Sequence, residues 1–314
     1  ASIFPAASWY DADVATHRVG IDLGGTKIEG AVLADGAVIA RKRVATEQER
    51  GYEAILDRIA SLAKEMLASA PGAHAVGIGT PGSISARDGT LKNSNTLCLN
   101  GRRVPDDLRA RIGVPVVVEN DANCFALAEA RAGAGRGHDL VFGVILGTGV
   151  GGGIVFRGEL RSGPQHVAGE WGHHSIDPAG PVCYCGARGC TETFLSGPAL
   201  EAAYRERVGA AAPAAEIARR AEAGDRAAAA VMSVYLERFG RAVANLVNVL
   251  DPDAIVLGGG LSNLDVLYSR GREAVARFVF NDELRTPILR NELGDSAGVI
   301  GAAWLAETGP GLVS

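Results

Sequence analysis

The sequence is short of the features that mark several large protein classes. None of its apolar runs approaches the roughly 20 residues that a membrane-spanning helix needs. Acidic residues outnumber basic ones by 36 to 31, which gives a net charge of −5, whereas a nucleic-acid-binding chain normally carries a basic face. The sequence therefore predicts neither a membrane partner nor a nucleic-acid partner.

Cysteine is scarce and unevenly placed. Three of the five cysteines fall between Cys183 and Cys190, unlike the spread pairs of a secreted disulfide framework. The first sixteen residues, ASIFPAASWYDADVAT, lack a basic start and a long apolar stretch, so they do not resemble a signal peptide. We expect a short extension followed by a cytoplasmic protein.

What the sequence does have is strand-like segments that end in glycine. Three short strands are predicted from Arg18 to Thr46, with turns at Gly24-Gly25 and Asp35-Gly36. A helix is expected over 51–69, a strand over 75–82, and a strand followed by a helix over 114–130. A second strand–turn–strand unit follows at 140–160, then a helical region at 197–250 and a strand that leads into a third glycine cluster near 258.

Two of these units look like copies of one hairpin. IDLGGTKIEGAVL and ILGTGVGGGIVF each place a glycine turn between two strands, and facing hairpins of this kind can hold a phosphate chain with backbone amides. We therefore predict two α/β domains, 1–130 and 131–296, with a final helix in 297–314 that packs back on the first domain.

The glycine turns allow other interpretations. GTGVGG satisfies the dinucleotide fingerprint through Gly147, Gly149 and Gly152, but a β-branched strand follows where that fingerprint needs a helix. Tight turns without a ligand are a further alternative. Three glycine clusters favour phosphate, because glycine lets the backbone approach an anion closely. Asp22 beside the first cluster suits the water shell of Mg²⁺.

An Asn-Asp pair ends an apolar strand in VVVENDANC. Asn120 or Asp121 could simply cap the helix that follows. Alternatively, Asp121 could act as a general base toward a sugar or alcohol hydroxyl, which is most of what phosphoryl transfer asks of a protein side chain. The glycine clusters favour the second interpretation.

A compact cysteine cluster has the spacing of a metal site. Cys183, Cys185 and Cys190 form C-x-C-x₄-C, and His173 and His174 precede them. One histidine and three thiolates make a closed tetrahedral zinc site with no open position for catalysis. Three reduced cysteines remain the alternative.

Together these motifs resemble the ROK family of bacterial sugar kinases. DLGGTK, GTPGSIS, ENDANC, GEWGHH, CYCGARGCTE and LDPDAIVLGGGLSN carry the resemblance from Val19 to about Ala306. It implies the two-domain actin-like ATPase (ribonuclease H-like) fold, with an interdomain active-site cleft. KNSNTLCLNG, TETFLSG and GDSAGVIGAAW look most like its fructokinase (manno-fructokinase) branch, although the segment from His173 to Cys183 is close in length to the glucokinase branch.

The resemblance also implies roles for particular residues. Asp121 would be the catalytic base, and His173, rather than His174, would bind zinc with Cys183, Cys185 and Cys190. The sugar contacts would be Gly82, Asn95, Asn120, Asp121, Glu170, His173 and Glu192. ATP would contact Asp22, Gly24, Gly25, Thr26, Lys27, Gly147, Thr148, Gly149, Gly151, Gly152, Gly258, Gly259 and Gly260.

The expected function is ATP-dependent phosphorylation of fructose or mannose at its terminal hydroxyl, with Mg²⁺ and a structural Zn²⁺, in a homodimer. A glucokinase or an N-acetylhexosamine kinase is the alternative. A sugar-sensing repressor would need a helix-turn-helix, for which the segment before Arg18 is too short. An actin-like ATPase without a small substrate would leave the cysteine cluster and the Asn-Asp pair unexplained.

Overall fold

The computed structural model describes residues 16–307, so the predicted N-terminal extension lies outside the described residues apart from Thr16. Within that range the chain forms two five-stranded sheets of identical topology. In each sheet an antiparallel three-stranded meander is extended by two parallel strands, in the orders β3-β2-β1-β4-β7 and β10-β9-β8-β11-β12. A short β5-β6 ribbon stands apart.

The strands and helices have the following bounds. The strands are β1 (His17–Leu23), β2 (Lys27–Ala34), β3 (Ala37–Ala45), β4 (Val76–Thr80), β5 (Ser83–Ile84), β6 (Leu91–Lys92), β7 (Val116–Asn120), β8 (Leu140–Leu146), β9 (Val150–Phe156), β10 (Glu159–Leu160), β11 (Ala254–Gly258) and β12 (Ile288–Arg290). The helices are α1 (Gly51–Ala68), α2 (Val104–Ile112), α3 (Asp121–Ala132), α4 (Glu192–Leu195), α5 (Gly197–Val208), α6 (Ala214–Glu222), α7 (Arg226–Leu250), α8 (Arg270–Ala276) and α9 (Ala297–Leu305).

The local sequence explains the first meander. Asp35 and Gly36 both adopt positive φ, 50° and 86°, which is the conformation that a two-residue hairpin turn requires and that the Asp-Gly pair tolerates. The parallel strand β4 is buried along its whole length, as expected where both faces of a sheet are covered. Helices α1 and α2 cover one face of this sheet, and α7 covers the second sheet with its apolar side.

Helices α3 and α9 lie between the two sheets, and each packs on the sheet that it does not follow in the sequence. Helix α3 follows the first sheet but packs on β8 and β9, whereas α9 follows the second sheet and packs on β1 and β4. Glycines make room for both: a Cβ at Gly143 or Gly153 would lie 2.6 or 2.7 Å from the Cβ of Ala126, and one at Gly301 would collide with the carbonyl of Cys124. Since α3 packs on the second sheet, we propose that the domain change lies at Asn120–Asp121 rather than near 130.

The carboxyl ends of the central strands in both sheets point toward the gap between the sheets. Strands β1, β4, β7, β8 and β11 end there, and each is followed by residues that line a cavity. Ligands of open α/β sheets bind at this edge. Across residues 16–307, no helix is long and apolar enough to cross a membrane.

Candidate functional site

Three neighbouring cavities occupy the gap between the sheets. The first measures about 300 Å³, the second about 330 Å³ and the third about 490 Å³. Asp121 lines the first and the second, Gly147 and Thr148 line the first and the third, and Gly260 lines the second and the third. The shared walls make one branched cleft.

Asp121 stands at the junction of the first and second cavities because it begins α3 directly after β7. The neighbouring Asn120 caps the helix: its Oδ1 accepts a hydrogen bond of 2.8 Å from the backbone N–H of Ala122. Asp121 Oδ1 accepts from the same N–H at 2.9 Å. The two interpretations of the pair are thus compatible, since Asn120 caps the helix and the Asp121 carboxylate still lines both cavities.

Two carboxyl groups that line the second cavity have raised pKa values. Burial, and then the negative charge of Glu170, raise the pKa of Asp121 to about 6. Burial, followed by the charges of Asp121 and Glu29, raises the pKa of Asp22 to about 7. A carboxylate that titrates near neutral pH is a better proton acceptor than an exposed one.

The predicted sugar contacts converge on the first cavity. Gly82, Asn95, Asn120, Asp121, Glu170, His173 and Glu192 all line it. Gly82 has a φ of 90°, and a Cβ there would approach the carbonyl oxygen of Lys92 to 2.5 Å. Position 82 therefore requires glycine. The Gly82 carbonyl accepts a hydrogen bond of 2.9 Å from Asn120 Nδ2, which fixes the amide of Asn120 beside the cavity.

Glu192 reaches the cavity from the start of α4. Its Oε2 accepts a hydrogen bond of 3.0 Å from the backbone N–H of Val150, so it joins the α4 segment to the second glycine hairpin. Burial raises the pKa of Glu170, the other acidic residue on this side. Two carboxylates, one of them fixed by a backbone donor, can accept hydrogen bonds from the hydroxyls of a polyol.

The four predicted metal ligands are brought together. The ligand atoms of His173, Cys183, Cys185 and Cys190 all lie within 4.8 Å of one another. His173 Nδ1 is 3.6 Å from Cys183 Sγ, and the sulfurs of Cys185 and Cys190 are also 3.6 Å apart. With Zn–S of about 2.3 Å and Zn–N of about 2.0 Å, a tetrahedral site would separate sulfurs by about 3.8 Å and sulfur from nitrogen by about 3.5 Å.

A glycine allows the backbone to turn tightly beside the four clustered ligands. Gly189 has a φ of 66°, and a Cβ there would collide with the carbonyl of Asp177, so the chain can fold closely around Cys190. His173 is selected over His174, whose Nε2 instead lies 3.4 Å from Asn245 Nδ2. The residues present therefore fit Zn²⁺.

The predicted ATP contacts divide into two groups. Asp22, Gly24, Gly259 and Gly260 line the second cavity, and Gly147, Thr148 and Gly260 line the third. Gly149, Gly151 and Gly152 line the first cavity instead. In the described chain Gly25, Thr26, Lys27 and Gly258 are not among the residues that line these cavities, and a Cβ at Gly258 would collide with the ring of Phe125. Packing therefore accounts for that glycine.

Two glycines of one turn should respond differently to substitution. A Cβ at Gly147 meets nothing within 4 Å, whereas one at Gly149 would lie 2.7 Å from Glu192 Oε2. We expect Gly147→Val to weaken nucleotide binding by about tenfold or more, because its side chain fills the space that phosphate would use. Gly149→Ala should instead raise the KM for sugar. Calorimetric titration with a non-hydrolysable ATP analogue and sugar kinetics check both, and equal effects on both ligands would contradict the division.

Several residues that line the cleft were not expected from the sequence. Asn93 and Tyr184 line the first cavity, and Asn263, Asn291 and Asp295 line the second. Tyr184 lies between two of the clustered cysteines, and its hydroxyl is 3.0 Å from His173 Nε2. Its place within the C-x-C motif was the available signal; the others stand in loops whose paths depend on long-range contacts.

Comparison with known proteins agrees with this geometry. A model of the ROK family matches residues 18–309. N-acetyl-D-glucosamine kinase of Photobacterium profundum is 38% identical over 297 residues, covering 91% of this chain and 98% of that protein. N-acetylgalactosamine kinase AgaK of a Shewanella species is 35% identical over 294 residues, covering 91% and 95%.

A solved structure gives the same result for the fold. A ROK family glucokinase from Streptomyces griseus, in complex with glucose and AMPPNP, matches with a TM-score of 0.78 and 33% identity over 93% of this chain and 100% of that one. The predicted two-domain actin-like ATPase fold is confirmed.

Proposed function

The chain belongs to the ROK family, and from that premise we propose that it is an ATP-dependent N-acetylhexosamine kinase that acts on N-acetylglucosamine. The observation that carries the choice of sugar is the 38% identity over 91% of the chain to an N-acetyl-D-glucosamine kinase. This relationship favours the N-acetylhexosamine alternative over the fructose or mannose substrate expected from the motifs.

The first cavity would hold the sugar, with its terminal hydroxyl directed at Asp121. The Asp121 carboxylate would accept the proton of that hydroxyl while the oxygen attacks the γ-phosphorus, and ADP would leave with the bridging oxygen. Phosphoryl transfer needs alignment and charge neutralisation more than covalent chemistry. Because Asp121 lines both the first and the second cavity, it stands where hydroxyl and phosphate would meet.

Mg²⁺ would be held on the phosphate side by Asp22. The second cavity is lined by Asp22, Asp121 and Asp295, and Mg²⁺ takes carboxylate oxygens together with water and phosphate. Burial, and then the charges of Asp121 and Glu29, raise the pKa of Asp22 to about 7, and a bound cation would favour its charged form. When bound, the ion would neutralise charge on the β- and γ-phosphates.

A panel of hexoses tests the substrate. We expect the highest kcat/KM for N-acetylglucosamine in a coupled assay of ADP release, with N-acetylgalactosamine, N-acetylmannosamine, glucose, mannose and fructose as the comparison set. Glucose is the second candidate, because the glucokinase solved in complex with glucose and AMPPNP matches 93% of this chain. A preference for fructose would contradict the proposal, and no stimulation by any hexose would remove the kinase assignment.

The pH dependence of kcat/KM for sugar should reveal the pKa of the proposed catalytic base, Asp121. As the pH falls through about 6, Asp121 becomes protonated and can no longer accept the hydroxyl proton, so kcat/KM for sugar should fall on the acid side with an apparent pKa near 6. Rates at saturating Mg²⁺ and ATP over roughly pH 5 to 8 give this limb. An acid limb near the ordinary carboxyl pKa of about 4 would argue against burial of the working group.

A further inference from the structure

Glu119 is a buried carboxylate that the proposed reaction does not use. It lies one residue before the Asn-Asp pair, is 9% exposed, and is not among the residues that line the three cavities. We propose that Glu119 and Ser162 form a positioning pair that sets Asp121 relative to Glu170 across the first cavity. The inference rests on the proposed function, because it assigns the pair to the sugar side of that site.

One oxygen of Glu119 fixes the segment that carries the base. Oε1 accepts 2.8 Å and 3.0 Å hydrogen bonds from the backbone N–H of Asn120 and from Asn123 Nδ2. These donors precede and follow Asp121, so the carboxylate holds the end of β7 and the first turn of α3 on both sides of the base. A carboxylate can accept several bonds at once, and bonds to a charged acceptor are the stronger kind.

The other oxygen reaches the second sheet's half of the molecule. Oε2 accepts a 2.7 Å hydrogen bond from Ser162 Oγ, and Ser162 is 2% exposed. Ser162 follows β10 of the second sheet, whereas Glu119 is the penultimate residue of β7 in the first sheet. This bond therefore joins a strand residue of the first sheet to the segment that follows β10 of the second sheet.

Ser162 in turn sets the path of the chain to Glu170. Its carbonyl accepts a 3.1 Å hydrogen bond from the N–H of Ala168, and Trp171 N–H donates to the carbonyl of Gly169 at 2.7 Å. The hydrogen bond between Ala168 and Ser162 thus brings together the two ends of the segment 162–168, and Glu170 in the cavity wall follows two residues later. The Glu119 carboxylate therefore positions Asp121 on one side of the first cavity and Glu170 on the other. Glu170 also adds to the raised pKa of Asp121, as its proximity requires.

Ser162→Ala is the direct test, with Thr286→Val as its matched control. Thr286 is 6% exposed and donates a 2.9 Å hydrogen bond to the carbonyl of Pro252, away from the cleft. Both variants lose one buried hydroxyl bond, so both melting temperatures should fall, and that of Ser162→Ala should fall at least as far because its acceptor is charged. We expect Ser162→Ala to raise the KM for sugar by roughly tenfold and to leave the KM for ATP unchanged, since an unpaired Glu119 oxygen lets the loop shift. Thr286→Val should change neither.

Glu119→Gln, which can keep the hydrogen bonds of Glu119, and Glu119→Ala, which loses them, test whether these bonds position the site. The glutamine oxygen can accept from Asn120 and Asn123 while its amide N–H donates to Ser162 Oγ, so kcat/KM should stay within about fivefold of wild type. Glu119→Ala should lose about 10²-fold, the scale of a 1 Å misplacement. If Glu119→Ala does not fold, Ser162→Ala and Glu119→Gln still decide the matter.

The outcomes distinguish two failures. Two results would overturn the positioning pair alone, provided that the wild type is active. One is that Ser162→Ala has the same kinetics as Thr286→Val. The other is that Glu119→Gln loses as much kcat/KM as the roughly 10²-fold expected for Glu119→Ala. A wild type that phosphorylates no hexose overturns the proposed function first, and the inference falls with it.

Discussion

Asp121→Asn should lower kcat by about 10²–10⁴-fold, the usual loss when a general base is removed. The amide has the shape of the carboxylate and can still accept the hydrogen bond from the N–H of Ala122, but it cannot take a proton from the sugar hydroxyl. Sugar and ATP affinities should change little, because the proposed contacts of Glu170, Glu192 and the glycine turns are left unchanged. Steady-state kinetics with calorimetric affinities for both ligands make the measurement.

The same variant should not be less stable. A carboxyl whose folded pKa is raised to about 6 binds its proton more tightly in the folded state, so the folded protein loses stability as pH rises from about 4 to 6 and the loss persists at pH 7. Asparagine removes that cost, and the melting temperature at pH 7 should be equal or higher.

Asp225→Asn is the matched control. Asp225 is the N-cap of α7 and accepts from the N–H groups of Ala227 and Ala228 at 2.8 and 3.1 Å, away from the cleft. Asparagine caps helices about as well as aspartate, so this variant should keep wild-type kinetics. If Asp121→Asn also kept its kcat, the Asp121 carboxylate would only support the start of α3, beside the cap at Asn120.

Features with a local cause could be predicted from the sequence. The Asp35-Gly36 turn, the Asn-Asp pair at a strand end, and the cysteine spacing each depend on a few neighbouring residues, and the structure has all three. The resemblance between IDLGGTKIEGAVL and ILGTGVGGGIVF reflects two hairpins that occupy equivalent places in the two sheets.

Features with a long-range cause could not be predicted in this way. Glycine at 258 and glycine at 147 look alike in sequence, yet one makes room for Phe125 and the other opens on empty space. The bond from Glu119 to Ser162 joins residues 43 positions apart. Family relationships favour a different hexose class from the one that the motifs suggested.

Loss of zinc should impair sugar binding far more than ATP binding. We expect one zinc per chain in the purified protein, held by His173, Cys183, Cys185 and Cys190, with no place for a metal-bound water. Glu170 lies three residues before His173, and Glu192 lies two residues after Cys190. The cluster therefore ties together the two segments that bring these carboxylates to the first cavity.

Cys185→Ala is the variant of choice because Cys185 is the exposed member of the cluster, while Cys183 and Cys190 are buried. Its replacement should release the metal with the least damage to packing. Misplacing the carboxylates by about 1 Å can cost roughly 10²-fold in rate, so kcat/KM for sugar should fall by about that factor. The affinity for an ATP analogue should stay within a few-fold, because the second and third cavities contain none of the four ligands.

Metal content and sugar affinity must be measured beside activity. Cys98→Ala is the control, since Cys98 is half-buried and is not part of the four-residue cluster; it should retain zinc and sugar affinity. Elemental analysis should give zinc near one per chain for wild type and Cys98→Ala and a large deficit for Cys185→Ala, with sugar affinity falling in step. Because metal binding is coupled to the folding of its ligands, chelation should also expose the loop from His173 to Cys190 to protease. A protein stripped of zinc that binds sugar as tightly as before would show that packing alone holds Glu170 and Glu192 in place.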